Sequence, residues 1–212
     1  EILTKKYLLM EKFVEIQNWG LNALTISFLM TIFFTFFQAY GFIKQGQKIW
    51  KKRSAKSLSP PFFFLLFFWF IAFIIYGFNK NSLAMIINGL LFIPCISVVA
   101  GIINFKRLTI FEFLSFIMAA SVIPIMIVVK NKEIFVFVVM MISLAVLLGQ
   151  LVVMVRAKSR GSVEIKFAIV FLTTAVFWFI YSYSIGDWAL EVFNSVSIII
   201  YSLIIYFYYR YK

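Results

Sequence analysis

The sequence predicts an all-α integral membrane protein with seven transmembrane helices, arranged as two parallel three-helix units joined by an inverting linker helix. Three observations predict it: a hydrophobic share of 64% with mean hydropathy +1.01, seven long apolar runs, and basic residues concentrated in alternate connections between those runs. A soluble core cannot hide that much apolar side chain, because a globular domain is closer to half apolar and a quarter charged. Charged residues are only 13% of the chain and fall in short clusters, which sets aside disorder, a nucleic-acid-binding domain and a water-soluble enzyme. With no histidine and a single cysteine, Cys95, neither a disulfide framework nor a metal cluster is expected. No cofactor is implied, and no nucleophile with a base stands in the apolar runs, so no catalytic residue is assigned.

Crossing about 30 Å of hydrocarbon at about 1.5 Å per residue takes roughly 20 apolar residues. The first span runs from Trp19 to Phe42, the second from Pro61 to Phe78 and the third from Leu83 to Phe105. The fourth runs from Ile110 to Val129, the fifth from Ile134 to Val155, the sixth from Ile165 to Ser184 and the last from Trp188 to Tyr208. Breakers and charges separate them, among them Asn79-Lys80-Asn81, Lys106-Arg107, Lys130-Asn131-Lys132 and Gly186-Asp187. The runs are continuous, whereas a membrane barrel would alternate in short segments. Pro94 and Pro124 interrupt hydrogen bonding inside the third and fourth spans.

Residues 1–18 form a tail in which Leu8, Leu9, Phe13 and Ile16 interleave with Lys12 and Glu15, the pattern of a short interfacial helix or else of a frayed terminus. The tail lacks the h-region and cleavage site of a signal peptide, and because the chain opens on Glu1 the natural start is expected upstream. Lys and Arg number fourteen on one side of the seven spans and six on the other, which predicts the N-terminus outside and the C-terminus in the cytoplasm. The net charge of +12 is therefore topology, not affinity for nucleic acid. The expected location is the plasma (cytoplasmic) membrane.

The two most basic connections repeat each other at an offset of 105 residues: Gln45, Ser54 and Ser57 recur as Gln150, Ser159 and Ser162. Tyr76 recurs as Tyr181, and Asn88 as Asn194 after one inserted residue. Five matches in order mark an internal repeat. Residues 19–105 form one three-helix unit, 106–133 the linker helix with its flanking loops, and 134–212 the second unit. A unit of three spans ends on the side opposite its start, so one extra crossing lets the second unit enter in the same orientation.

At these residues the chain resembles the PQ-loop superfamily, and within it the SWEET and SemiSWEET sugar transporters. Gln45, the basic aromatic patch Trp50-Lys51-Lys52-Arg53 and the serines that follow are similar to the region after the family's PQ dipeptide. Phe73, Tyr76, Gly77, Asn88 and Gly89 resemble its W-x-x-Y-G and third-helix Asn, and Trp178, Tyr181 and Asn194 match the same pattern in the second unit. The family proline is replaced by Lys44 and Gly149, and the first-unit Trp by Phe73. Gln45, Gly149 and Gln150 thus occupy the hinge motif, with Gly41, Gly46 and Gly149 as pliable positions.

The resemblance implies a carrier of a small neutral solute, a mono- or disaccharide, working by alternating access, and the few carboxylates within the spans and the absence of His argue for facilitated diffusion over ion coupling. It places Asn88 and Asn194 across a pseudo-twofold, flanked by Phe73 and Trp178 as aromatic platforms. A polyol crossing a bilayer needs such amides to replace its water and such faces for its ring; the plainer alternative is that each Asn bonds a neighbouring helix. Thr31, Thr35 and Gln38 form one polar stripe on the first span, facing a cavity or satisfied on their own helix. Tyr76 and Tyr181 suit either the site or an aromatic belt.

Glu191 stands three residues before Asn194; it is either a first-turn acid favoured by the helix dipole or a coupling group for a charged or proton-linked solute. Glu112 invites the same two readings. Two alternatives follow: a carrier of an amino acid, vitamin or nucleoside-like solute, and a non-transporting receptor of the same fold. The expected partners are a small-molecule solute and membrane lipid, the latter at Lys51, Lys52, Arg53 and Lys56. Both repeats in one chain suffice for a path, while the resemblance also implies homo-oligomers.

Overall fold

The computed structural model describes residues 12–55, 58–158 and 165–211, and among them every regular element is helical. The helices are α1 (Val14–Gln17), α2 (Ala23–Lys52), α3 (Pro60–Lys80), α4 (Leu83–Gly89) and α5 (Phe92–Phe105), then α6 (Ile110–Ala120), α7 (Val122–Val128), α8 (Lys132–Ala157), α9 (Ile165–Ile185) and α10 (Trp188–Arg210). Among the described residues, with α4–α5 and α6–α7 each counted as one, six helices are long and apolar enough to cross a membrane. The 26-residue α8 runs where the fifth span is expected.

Helix ends follow local chemistry. Pro60 and Pro61 occupy the first turn of α3, where no intrahelical N–H is needed, and Ser59 precedes them without a side-chain cap. Pro94 lacks the N–H that would bond Leu90, and its ring crowds that carbonyl; the helix breaks there, between α4 and α5. Pro124 does the same to Ala120, and Ser121 separates α6 from α7. The main departure from expectation is α2, which continues ten residues past Phe42 through Lys44, Lys48, Lys51 and Lys52. Straight-chain Gln and Lys favour helix, so the basic segment read as a connection is an extension of the first helix.

The chain divides into two compact units, one of residues 1–19 and 32–130, the other of 20–31 and 131–212. In the first, α3 packs against α4, α5, α6 and α7. Its core is Ile49, Phe64, Cys95, Val98 and Ile102, with Phe68 and Phe116 packed against them. The crossing of α2 and α5 is made of small residues. Gly46 abuts Ser97, a Cβ on Gly101 would lie 2.7 Å from Ile49 Cγ2, and Trp50 Nε1 donates to Ser97 O at 2.9 Å. Ser97 and Gly101 thus make a small-xxx-small pair, the pattern that lets membrane helices approach closely. Gly46, expected to be pliable, is instead a packing contact, while Gly41 has nothing within 4 Å of its Cβ position.

In the second unit α10 packs against both α8 and α9. Its core gathers Leu144, Leu151, Met154, Ile200 and Ile204. In the first unit Phe36, Phe111 and Met118 are 67%, 80% and 72% exposed, a display that hydrocarbon tolerates and water does not.

Candidate functional site

The turn that leads into α4 and the turn that leads into α10 are built alike. In the first unit Asn81 takes a left-handed conformation at φ 51°, Ser82 N donates to Gly77 O at 2.8 Å, and the Ser82 side chain caps Met85 N at 3.1 Å. In the second, 105 residues on, Gly186 is left-handed at φ 67°, Asp187 N donates to Ser182 O at 2.9 Å, and the Asp187 carboxylate caps Leu190 N at 3.0 Å. Counted from those caps, Asn88 is the sixth residue and Asn194 the seventh. The single insertion therefore leaves the two amides one helical step apart, about 100° around the axis.

Asn88 is buried, and its amide Nδ2 donates to Thr35 Oγ1 at 3.0 Å and to Gln38 Oε1 at 3.4 Å. The stripe on α2 thus delivers two of its three members to one amide. Thr31 is also buried, but its hydroxyl bonds Phe28 O on its own helix at 2.7 Å. Asn194, equally buried, sends Nδ2 back to Leu190 O at 2.7 Å. At an offset of 105, Thr35 and Gln38 correspond to Met140 and Ser143, and the Ser143 hydroxyl donates to Val139 O on its own helix at 3.3 Å.

Phe73 is buried in a column of rings, stacked on Trp69 at 5.4 Å and on Tyr76 at 6.3 Å. Trp69, one turn before Phe73, joins this column, and its i, i+4, i+7 spacing with Phe73 and Tyr76 is the signal in the sequence that places it there. Trp178 is buried edge-on to Tyr181 at 5.6 Å. Tyr76 and Tyr181 are both 0% exposed, which rules out the aromatic-belt reading for them.

In sequence comparison, no family profile and no curated protein matches this chain. In structure comparison it superposes on a eukaryotic SWEET transporter solved at 3.7 Å resolution, with a TM-score of 0.69. The match covers 89% of this chain and 96% of that one at 12% identity. The fold is SWEET-like.

Within this SWEET-like fold Gln45 is half-buried on α2, and Gly149 and Gln150 lie in the helical run of α8; the side chain of Gln150 is outside the described residues, as are Lys56, Ser57, Ser159 and Ser162. Glu191 is half-exposed in the first turn of α10, where its N–H bonds Asp187 O. Glu112 closes a capping box with Thr109 and pairs with Lys106 at 2.9 Å, the N-terminal reading of that acid. A groove of about 380 Å³ between α2 and α5, lined by Ile43, Gly46, Gln47, Trp50, Ile93, Pro94 and Ser97, includes none of the Asn88 cluster. No group of three or more metal-ligating side chains occurs among the described residues.

The tail holds the residue that sequence reasoning placed wrongly. Glu15, read as the polar side of an interfacial helix, is 1% exposed, and its Oε1 accepts from Ala84 N at 2.9 Å and Ser82 Oγ at 3.3 Å. Val14 N adds a backbone bond to Asn81 O at 3.0 Å. Of the expected interfacial helix only Val14–Gln17 is a described helix; residues 1–11 lie outside the described residues.

Proposed function

We propose that this chain is a SWEET-like transporter of the PQ-loop type that carries a small neutral solute, a mono- or disaccharide, across the plasma membrane by alternating access and facilitated diffusion. The observation that carries the reading is the buried amide of Asn88, joined to Thr35 and Gln38, in a chain whose fold is SWEET-like. A buried side-chain network of neutral donors and acceptors can exchange partners with a polyol hydroxyl, and it gives a cation or anion no counter-charge. In this reading Asn88 and Asn194 supply one amide from each repeat, Phe73 and Trp178 the ring faces, and Gln45, Gly149 and Gln150 the pliable segment of each first helix.

The proposed architecture is seven spans in a 3+1+3 order, with α6–α7 as the linker, the N-terminus outside and the C-terminus cytoplasmic. The matching turns at Asn81-Ser82 and Gly186-Asp187 support a repeat of 105 residues, and the length of α8 supports a seventh span. Association of copies is compatible with this architecture and not needed for a path. One observation favours a second reading: Glu191 is half-exposed beside the turn that carries Asn194, which suits a proton-coupled carrier of an amino acid or nucleoside-like solute.

Uptake of labelled hexoses, disaccharides, amino acids and nucleosides into proteoliposomes, with and without a pH gradient, tests both. Gradient-independent sugar uptake that Asn88→Ala combined with Asn194→Ala abolishes is the expected result. Uptake only under a gradient would move the role to Glu191. Ligand-induced thermal stabilisation with no flux of any solute would replace transport by a receptor.

A further inference from the structure

The two third helices each begin at a carboxylate, but the two units supply it differently. In the second unit the acid is the cap residue itself: Asp187 is 0% exposed and accepts from Leu190 N at 3.0 Å. In the first unit the equivalent cap is the neutral Ser82, and the acid comes from 67 residues upstream, with Glu15 accepting from Ser82 Oγ and from Ala84 N. Unsatisfied N–H groups and the positive end of the helix dipole account for an acid at both places. The first unit has the greater need of an anchor, because α4 is only seven residues long and joins α5 through an irregular step at Leu90 and Leu91, where Leu91 N bonds Asn88 O three residues back. Asn88 stands one turn beyond Ala84 on that short segment.

We infer that Glu15 is a positioning residue for the solute site: the N-terminal segment supplies by way of Glu15 the cap acid that Ser82 does not, and so fixes α4 and with it the amide of Asn88. The inference rests on the proposed role of Asn88. Beyond its packing on α3, α4 is held by side-chain bonds at both ends, Glu15 at its N-terminus and the Thr35 and Gln38 bonds near its C-terminus. Removing the first leaves Asn88 with its partners and α4 on α3, but takes the acceptor from Ala84 N and loosens the first turn of α4.

Four chains reconstituted in proteoliposomes test it: wild type, Glu15→Ala, Glu15→Gln and Glu15→Ala with Ser82→Asp. Two readings are taken, the half-saturation and maximal rate of solute uptake, and hydrogen exchange of the amides of residues 83–90 against those of 92–105. Glu15→Ala is expected to raise the half-saturation concentration about tenfold with little change in maximal rate, and to speed exchange in 83–90 alone. Glu15→Gln, which keeps an acceptor oxygen, should stay near wild type. Ser82→Asp, which rebuilds the arrangement of the second unit, should restore both readings. Unchanged exchange in Glu15→Ala overturns the inference. So does a loss that Ser82→Asp fails to repair, because Glu15 would then act by packing the tail. If wild type moves no solute, the transport reading fails separately, and the exchange arm still decides whether Glu15 anchors α4.

Discussion

Gly89→Ala is expected to destabilise the protein by about 3 kcal/mol, whereas Gly41→Ala, also in a transmembrane helix, costs nothing measurable. A Cβ on Gly89 would meet Ile74 Cγ1, Phe70 O at 2.8 Å and Ile74 N at 3.0 Å. Two of those atoms are backbone and cannot rotate away. Relief requires α4 to move off α3, and overpacking a membrane interface forfeits the close contact that substitutes there for hydrophobic driving force. Gly77 is the reciprocal position, its Cβ site 2.9 Å from Ile86 N, so the two glycines form one crossing. Nothing lies within 4 Å of the Gly41 Cβ site, and alanine there gains helix propensity. Thermal unfolding in detergent checks both, with Gly41→Ala as the internal control. Equal melting temperatures for the two variants would mean that α3 and α4 do not approach as described.

The long elements were legible because their signal is redundant. Twenty apolar residues in a row leave few alternatives, and boundary residues such as Pro60, Asn81 and Asp187 each carry a local reason to start or stop a helix. The helix breaks were legible too, since Pro94 and Pro124 act on their own chain four residues back. The end of the first helix was not, because Lys is compatible both with a connection and with a helix leaving the membrane, and hydropathy alone cannot separate them.

Partners distant in sequence were the least legible. Nothing near Glu15 announces that its carboxylate meets residues 67 and 69 positions away, and an acid among apolar neighbours in a terminal segment reads first as amphipathic. Within the candidate site the residue types were readable and the pairing was not. The spacing of Thr31, Thr35 and Gln38 made a stripe, but the bonds that divide it, two members to Asn88 and one to its own backbone, depend on where α4 lies. The inserted residue before Asn194 was visible; its consequence, a turn of about 100° relative to Asn88, appears only once both caps are fixed.

That inequivalence separates binding from stability when the amides are removed one at a time. Asn88→Ala deprives Thr35 Oγ1 and Gln38 Oε1 of a donor inside the first unit and is expected to cost about 1 kcal/mol of stability. Asn194→Ala removes only a bond to Leu190 O, a carbonyl within its own helix, and should leave the melting temperature unchanged. If both amides bind solute, uptake efficiency nevertheless falls roughly five- to tenfold in each, since a solute hydroxyl loses a hydrogen bond worth about 1 to 1.5 kcal/mol either way. A loss of uptake in Asn194→Ala without a loss of stability can only arise at the solute, which makes that variant the more informative of the two. Full activity in Asn194→Ala would remove the second repeat's amide from the site and confine recognition to Asn88 with Thr35 and Gln38. Loss of stability in both variants would mean that the two amides are structural bonds of the helix bundle, and the pair would no longer support a solute site.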